Sequence, residues 1–274
     1  MLFYPQNLHT HSTFCDGADD CESTVLKAIE IGFSGIGFSG HSYCGYIKST
    51  SSMQPENIPS YKKEVARLKE KYKDKIDVFC GLEFDQYSTD DKTGYEYIIG
   101  ANHYLKLGNE YVGFDRDAKT VQAVIDNYFD GDGLKFAKEF YRQFAELPKY
   151  GDFDIVGHYD LIAKNCEKVK LFDETDEKYK KYALECFYAL KEKISVFEVN
   201  TGAMARGYRT TPYPRAFLLE EMAKTGVGIV LGSDCHDNRM LNYGFAESVE
   251  LCKAYGVKEL QVLTKGGFQG LALE

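Results

Sequence analysis

The sequence has no CxxC pair among its eight cysteines (15, 21, 44, 80, 166, 186, 235 and 252), which argues against an ordinary thiolate-bound structural zinc. A chain of 274 residues with 44% hydrophobic composition can bury a sizeable core without disulfide staples, so the scattered thiols are expected to be free and at least half-buried. No window approaches 18 uncharged apolar residues, and the first residues carry no basic stretch ahead of an apolar run. Neither a membrane span nor a signal peptide is therefore expected, and the cytoplasm is the expected compartment. Positive charge is also short: 33 Lys and Arg against 42 Asp and Glu leave a net charge of -9, which argues against a protein that holds nucleic acid. A small anionic substrate stays open, because metal ions or a few arginines reverse the potential locally. No Ser/Gly/Pro-rich linker, internal repeat, nicotinamide motif or activated Ser/His arrangement stands out, so residues 1–274 are expected to form one domain.

What is present is an alternation of short apolar runs and amphipathic stretches. Strands are expected at Phe3–Leu8, Gly35–Ser39, Ile76–Leu82, Tyr97–Ala101, Phe153–Gly157, Val196–Val199 and Val227–Leu231, with a weaker eighth at Leu260–Leu263. Helices are expected at Glu22–Ile31, Ser60–Lys71, Ala118–Asn127, Lys135–Leu147, Asp176–Glu192, Tyr213–Thr225 and Tyr243–Tyr255, several followed by a glycine stop. This is an α/β chain, either an open doubly wound sheet or a closed barrel. Tyr43–Pro59, Tyr87–Gly94 and Tyr104–Arg116 have weaker periodicity and are candidate rim loops.

All six histidines fall just after an expected strand: His9, His11, His41, His103, His158 and His236. Glu83 follows the third strand run and Asp234, like His236, the seventh, and in a barrel such ends converge on one face. His9-Thr10-His11 is an i,i+2 pair whose side chains point the same way in extended backbone, and Asp234-Cys235-His236 is another. A carboxylate at Glu83, after an apolar strand, is costly to bury unless it is paired or bound to metal. With Asp16 these make nine candidate ligands, too many for one tetrahedral zinc; two or three divalent ions sharing carboxylates fit better, and mixed N/O donors suit zinc, iron or manganese.

His9-x-His11, Asp16-Gly17, Gly40-His41-Ser42, Gly81-Leu82-Glu83, Asn102-His103, Gly157-His158 and Gly232-Ser233-Asp234-Cys235-His236 together resemble the polymerase-and-histidinol-phosphatase (PHP) family, and within it the monofunctional histidinol-phosphate phosphatases. The resemblance implies a distorted, TIM-like (β/α)7 barrel with a trinuclear site at the carboxyl ends of the strands. It implies one ion on His9, His11, Glu83 and Asp234, a second on Glu83, His41 and Asp16, and a third on His103, His158 and His236. Asp16 stands where some relatives have histidine.

The expected reaction is hydrolysis of L-histidinol phosphate to L-histidinol and phosphate, a step of histidine biosynthesis, with Glu83, Asp234 and His236 as the catalytic candidates. Closely spaced ions suit this chemistry because they hold a phosphate oxygen and neutralise charge that develops during in-line attack. Arg206 and Arg209, near the end of the sixth strand run, are the expected phosphate donors, with Asn200 either binding substrate or tying down the loop, and Arg116 as a further contact. The alternatives are another small phosphomonoester such as a sugar phosphate or nucleotide, a nuclease, or a metal-dependent binding or regulatory protein. Turnover at saturating metal separates the last from the enzymes. Thr264-Lys265-Gly266-Gly267-Phe268 offers either an anion-binding turn near the barrel mouth or a plain closing loop.

Overall fold

The computed structural model describes residues 3–47 and 49–273. In chain order the elements are β1 (Gln6–Asn7), α1 (Cys21–Glu30), β2 (Gly35–Phe38), α2 (Ile58–Lys71), β3 (Asp77–Asp85), β4 (Tyr97–Ala101), β5 (Tyr104–Leu107), β6 (Glu110–Gly113), α3 (Ala118–Phe129), α4 (Gly133–Phe144), β7 (Ile155–Val156), α5 (Glu177–Lys191), β8 (Val196–Asn200), α6 (Gly202–Ala205), α7 (Ala216–Thr225), β9 (Gly228–Gly232), α8 (Phe245–Ala254), β10 (Glu259–Thr264) and β11 (Gly267–Ala272). Aspartates start four of the helices: Asp20, Asp117, Asp132 and Asp176 each accept a hydrogen bond from a backbone N–H of the first turn of α1, α3, α4 and α5. Helix α7 begins three residues later than expected, because the backbone of Tyr213 pairs instead with Asn200, N–H to O at 2.9 and 2.8 Å.

Seven parallel strands make the sheet, in the order β1-β2-β3-β4-β7-β8-β9. The ring closes at its carboxyl end, where Thr10 bridges Cys235: the N–H of His11 donates to the Cys235 carbonyl at 2.8 Å and that of Cys235 to the His9 carbonyl at 3.1 Å. This is the distorted (β/α)7 barrel. Leu8, Phe79, Tyr97, Ile99, Ile155, Val196 and Val230 fill a core cluster of their own, and the larger cluster includes side chains from the helices. Tyr97 fits because Gly81 faces it; a Cβ there would lie 2.2 Å from the ring.

Two departures from expectation concern the connections. Leu260–Leu263 is a strand, but not a stave of the barrel: β10 pairs antiparallel with β11, and Leu263 and Phe268 pack against the Leu8–Phe79–Val230 cluster. The Gln6 side-chain amide holds β10 through both the N–H and the carbonyl of Leu263, at 2.8 and 2.9 Å. Lys265 pairs with Asp77 at the amino end of β3, so the Gly266-Gly267 turn is the plain closing loop, far from the barrel mouth in strand register. The expected rim loop Tyr104–Arg116 holds the antiparallel pair β5–β6, turned through Gly108 (φ 62°) and Asn109. Among the described residues no helix is long and apolar enough to cross a membrane.

Candidate metal centre

The carboxyl ends of the strands open into a cavity of about 340 Å³ lined by Asp16, His41, Glu83, His103, His158, Asp234 and His236, with Asp115, Arg116, Lys164 and Arg206 among its other walls. His9 and His11 lie beneath, fully buried, and present Nε2 to the same carboxylates: His9 to Glu83 at 3.4 Å and Asp234 at 3.6 Å, His11 to Glu83 at 3.6 Å and Asp234 at 3.1 Å. The i,i+2 pairing expected from the sequence is thus realised. Glu83 is the hub, touching His158 at 2.7 Å, His41 at 2.6 Å and His103 at 3.4 Å.

His236 is grouped differently from expectation. It stacks on His11 with ring centroids 4.0 Å apart and meets Asp16 at 3.3 Å, while His41 reaches the same Asp16 oxygen at 3.6 Å. His103 and His158 sit together on Glu83, without His236. The cause is local: Asp234 takes a left-handed conformation (φ 47°), which breaks the extended parity of 234–236 and turns His236 toward the Asp16 loop. Four sets of ligand atoms result, each within 4.8 Å of one another: His11/Asp16/His41/His236, His9/His11/Asp234, His9/Glu83/His158 and His41/Glu83/His103.

The donors fit a cation better than they fit one another. His9 Nε2 and His11 Nε2 are buried with no hydrogen-bond partner among the described residues, and Glu83 Oε2 is likewise unpartnered despite its closeness to His41. Orphaned polar atoms of this kind are expensive unless something is coordinated there. The electrostatics agree: burial raises the Glu83 carboxyl, yet His41, His9 and His103 outweigh it and hold the group well below the carboxylate range. Burial likewise opposes the His9 cation, but Glu198, Glu83 and Asp234 together lift its pKa well above the ordinary imidazole value, and Glu83 and Asp85 do the same for His103. His11 is the exception, driven to about 3 by burial and by His236 and His41. Because a metal takes the neutral imidazole, loading must expel protons from His9 and His103, and affinity should rise with pH. Calorimetric titration of divalent zinc at pH 7 in two buffers of different ionisation enthalpy is expected to report proton release; identical heats would refute it.

Of the expected substrate contacts, two face the cavity. Arg206 donates to Asp234 Oδ2 at 2.7 Å and to the Asp234 carbonyl at 3.1 Å. Arg116 is exposed at the rim, without an ion pair among the described residues. Arg209 is a correction: Gly207 (φ 69°) reverses the chain after α6, and the Arg209 guanidinium is buried over the Tyr213 ring, donating to the Ala163 carbonyl and facing Glu167 and Glu174. Asn200 takes the tie-down role, its amide donating to Glu198 at 2.9 Å and accepting from the Gly202 N–H at 2.9 Å. Glu198 and the Lys164–Asp115 pair (2.5 Å) were not expected. A glutamate buried within Val196-Phe197-Glu198-Val199 was the available signal for the first; nothing local marks the second.

The model of the PHP domain family matches residues 7–202. The chain belongs to the PHP domain family. Among curated PHP-like relatives, it is 25% identical to a probable histidinol-phosphatase of Schizosaccharomyces pombe, over 96% of this chain and 90% of that one. It is also 25% identical to the histidinol-phosphatase of Bacillus subtilis, over 89% and 98%. The barrel superposes on histidinol phosphate phosphatase from Lactococcus lactis, solved with zinc, L-histidinol and phosphate, with a TM-score of 0.74 at 20% identity, covering 97% of this chain and 98% of that one. This PHP domain thus has the family's barrel with the histidine and carboxylate clusters near its strand ends.

Proposed function

We propose that the protein is a metal-dependent phosphomonoester hydrolase that converts L-histidinol phosphate and water to L-histidinol and phosphate, in a single barrel domain. The observation that carries the reading is the set of buried, unpartnered donors (His9 Nε2, His11 Nε2, Glu83 Oε2) beneath a cavity walled by Arg206, Arg116 and Lys164. The curated relatives that carry the histidinol-phosphatase name over nine tenths of their length support the same substrate.

The four donor sets share residues and are divided among three divalent ions: one on His9, His11 and Asp234, with Glu83 near both imidazoles, one on Glu83 with His103 and His158, which both face its Oε1, and one on Asp16, His41 and His236. This division replaces the one the resemblance implied for the last two. Such ions supply Lewis-acid polarisation of a phosphoryl oxygen and a water made more acidic. The chain's own residues do the rest. Arg206, anchored at Asp234, presents its guanidinium to the cavity and binds the phosphate; Arg116 adds positive charge at the rim, and Lys164, on the same lining, is paired with Asp115. Asp85 accepts from the His103 N–H at 2.9 Å and lies 3.2 Å from its Nδ1, which fixes that ring with Nε2 toward Glu83.

The test is phosphate release from L-histidinol phosphate by protein stripped of metal and then reloaded separately with manganese, zinc or ferrous iron, against glucose 6-phosphate and AMP as competitors. Metal-dependent turnover selective for histidinol phosphate is expected. Folded, loaded protein that prefers either competitor would sink the substrate assignment.

A further inference from the structure

Resting on the metal-centre reading above, we infer that Glu198 is a positioning residue that fixes which nitrogen of His9 faces the metal site. Glu198 lies in β8 and does not itself line the cavity, yet three donors converge on its carboxylate. His9 Nδ1 meets Oε1 at 2.7 Å, and the His158 N–H and the Asn200 amide each reach Oε2 at 2.9 Å. The group is 1% exposed. The fold leaves room for it at one point only by the absence of a side chain: a Cβ on Gly232 would stand 1.8 Å from Oε1.

The consequence is chemical. A neutral imidazole carries one N–H, and a carboxylate at Nδ1 demands that it be there, so the lone pair is left on Nε2. That nitrogen is the one found buried, unpartnered and directed at Glu83 and Asp234. By also gripping the His158 backbone, the same carboxylate ties two ligand-bearing strand ends, β1 and β7, to a third, β8. Glutamine has the shape but only one acceptor. Turned one way, its NH2 opposes the His158 N–H and the Asn200 amide; turned the other, it donates to His9 Nδ1 and forces the proton onto Nε2.

The experiment uses zinc-loaded full-length protein and needs no substrate. In the wild type, proton and 15N spectra of the imidazoles should show His9 bound through Nε2, with a slowly exchanging, downfield Nδ1 proton. Glu198→Gln should move or lose that signal and weaken one bound zinc by about 10- to 100-fold in a competition titration. His9 bound through Nδ1, or a Glu198→Gln protein with wild-type zinc affinity at every site, would overturn the inference. Should the variant fail to fold, the nitrogen assignment in the wild type decides alone. Zinc bound as described without hydrolysis of histidinol phosphate would support the role of Glu198 while removing the proposed substrate.

Discussion

Glu83→Gln is expected to lower turnover of histidinol phosphate by at least ~100-fold while the barrel stays folded. Among the described residues Glu83 is the one carboxylate within reach of five imidazoles, from His9, His11, His41, His103 and His158. An amide conserves volume, so packing against the barrel core is not disturbed, but the charge that Glu83 would offer to bound metal is gone and one of its ligand atoms becomes an N–H that repels a cation. Steady-state rates and metal content measured on the same preparation check this. Wild-type turnover in a folded variant of matched metal content would remove Glu83 from the mechanism. Loss of metal together with activity would instead place its role in holding the ions.

Arg206→Met should reduce kcat/KM by about 10- to 100-fold, the cost of about 1.5–3 kcal/mol for removing a hydrogen bond to a charged group. The effect separates from that of Glu83 because Arg206 donates to Asp234 through Nη2 and to the backbone through Nη1, without being a ligand itself. Metal content should therefore be retained, and inorganic phosphate should lose potency as a competitive inhibitor in parallel with the substrate. A variant with unchanged phosphate inhibition would show that Arg206 serves only to restrain the Asp234 carboxylate.

Much of the scaffold was legible because burial imposes a short period. Most of the seven staves are mainly apolar and buried on both faces, and their positions were recovered to within a few residues, although β1 and β7 shrink to two paired residues each and those of β1, Gln6 and Asn7, are polar. The histidines were legible as a group for the same reason: strand ends in a barrel share a face. What a linear pattern lacks is the angle around the barrel axis, and that is where the reading of the site failed. The turn at Asp234 sends His236 to Asp16 rather than to His103 and His158, and the turn at Gly207 sends Arg209 away from the cavity that Arg206 enters. Each hangs on one backbone angle that aspartate or glycine permits but does not announce. The β5–β6 hairpin is a different kind of miss, since Leu105 and Leu107 alternate with polar neighbours and a Gly-Asn pair follows. Leu260–Leu263 was legible as a strand but not as one outside the barrel, because a short, mainly apolar run says nothing about strand direction.

The way the ring is closed bears on how the molecule is made. Asn7 donates to Ser233, 226 residues away, and the Thr10–Cys235 bridge joins the same two regions. During synthesis, which proceeds at about 5–20 residues per second, the first strand must wait tens of seconds for its neighbour on that side. Until then one flank of the nascent sheet has no partner, and His9 and His11 stand beside none of the residues 234–236 that complete their site. Completion of the two donor sets that use Asp234 and His236 is thereby deferred to the last stage of translation, and a ribosome stalled before Ser233 holds a chain that lacks both.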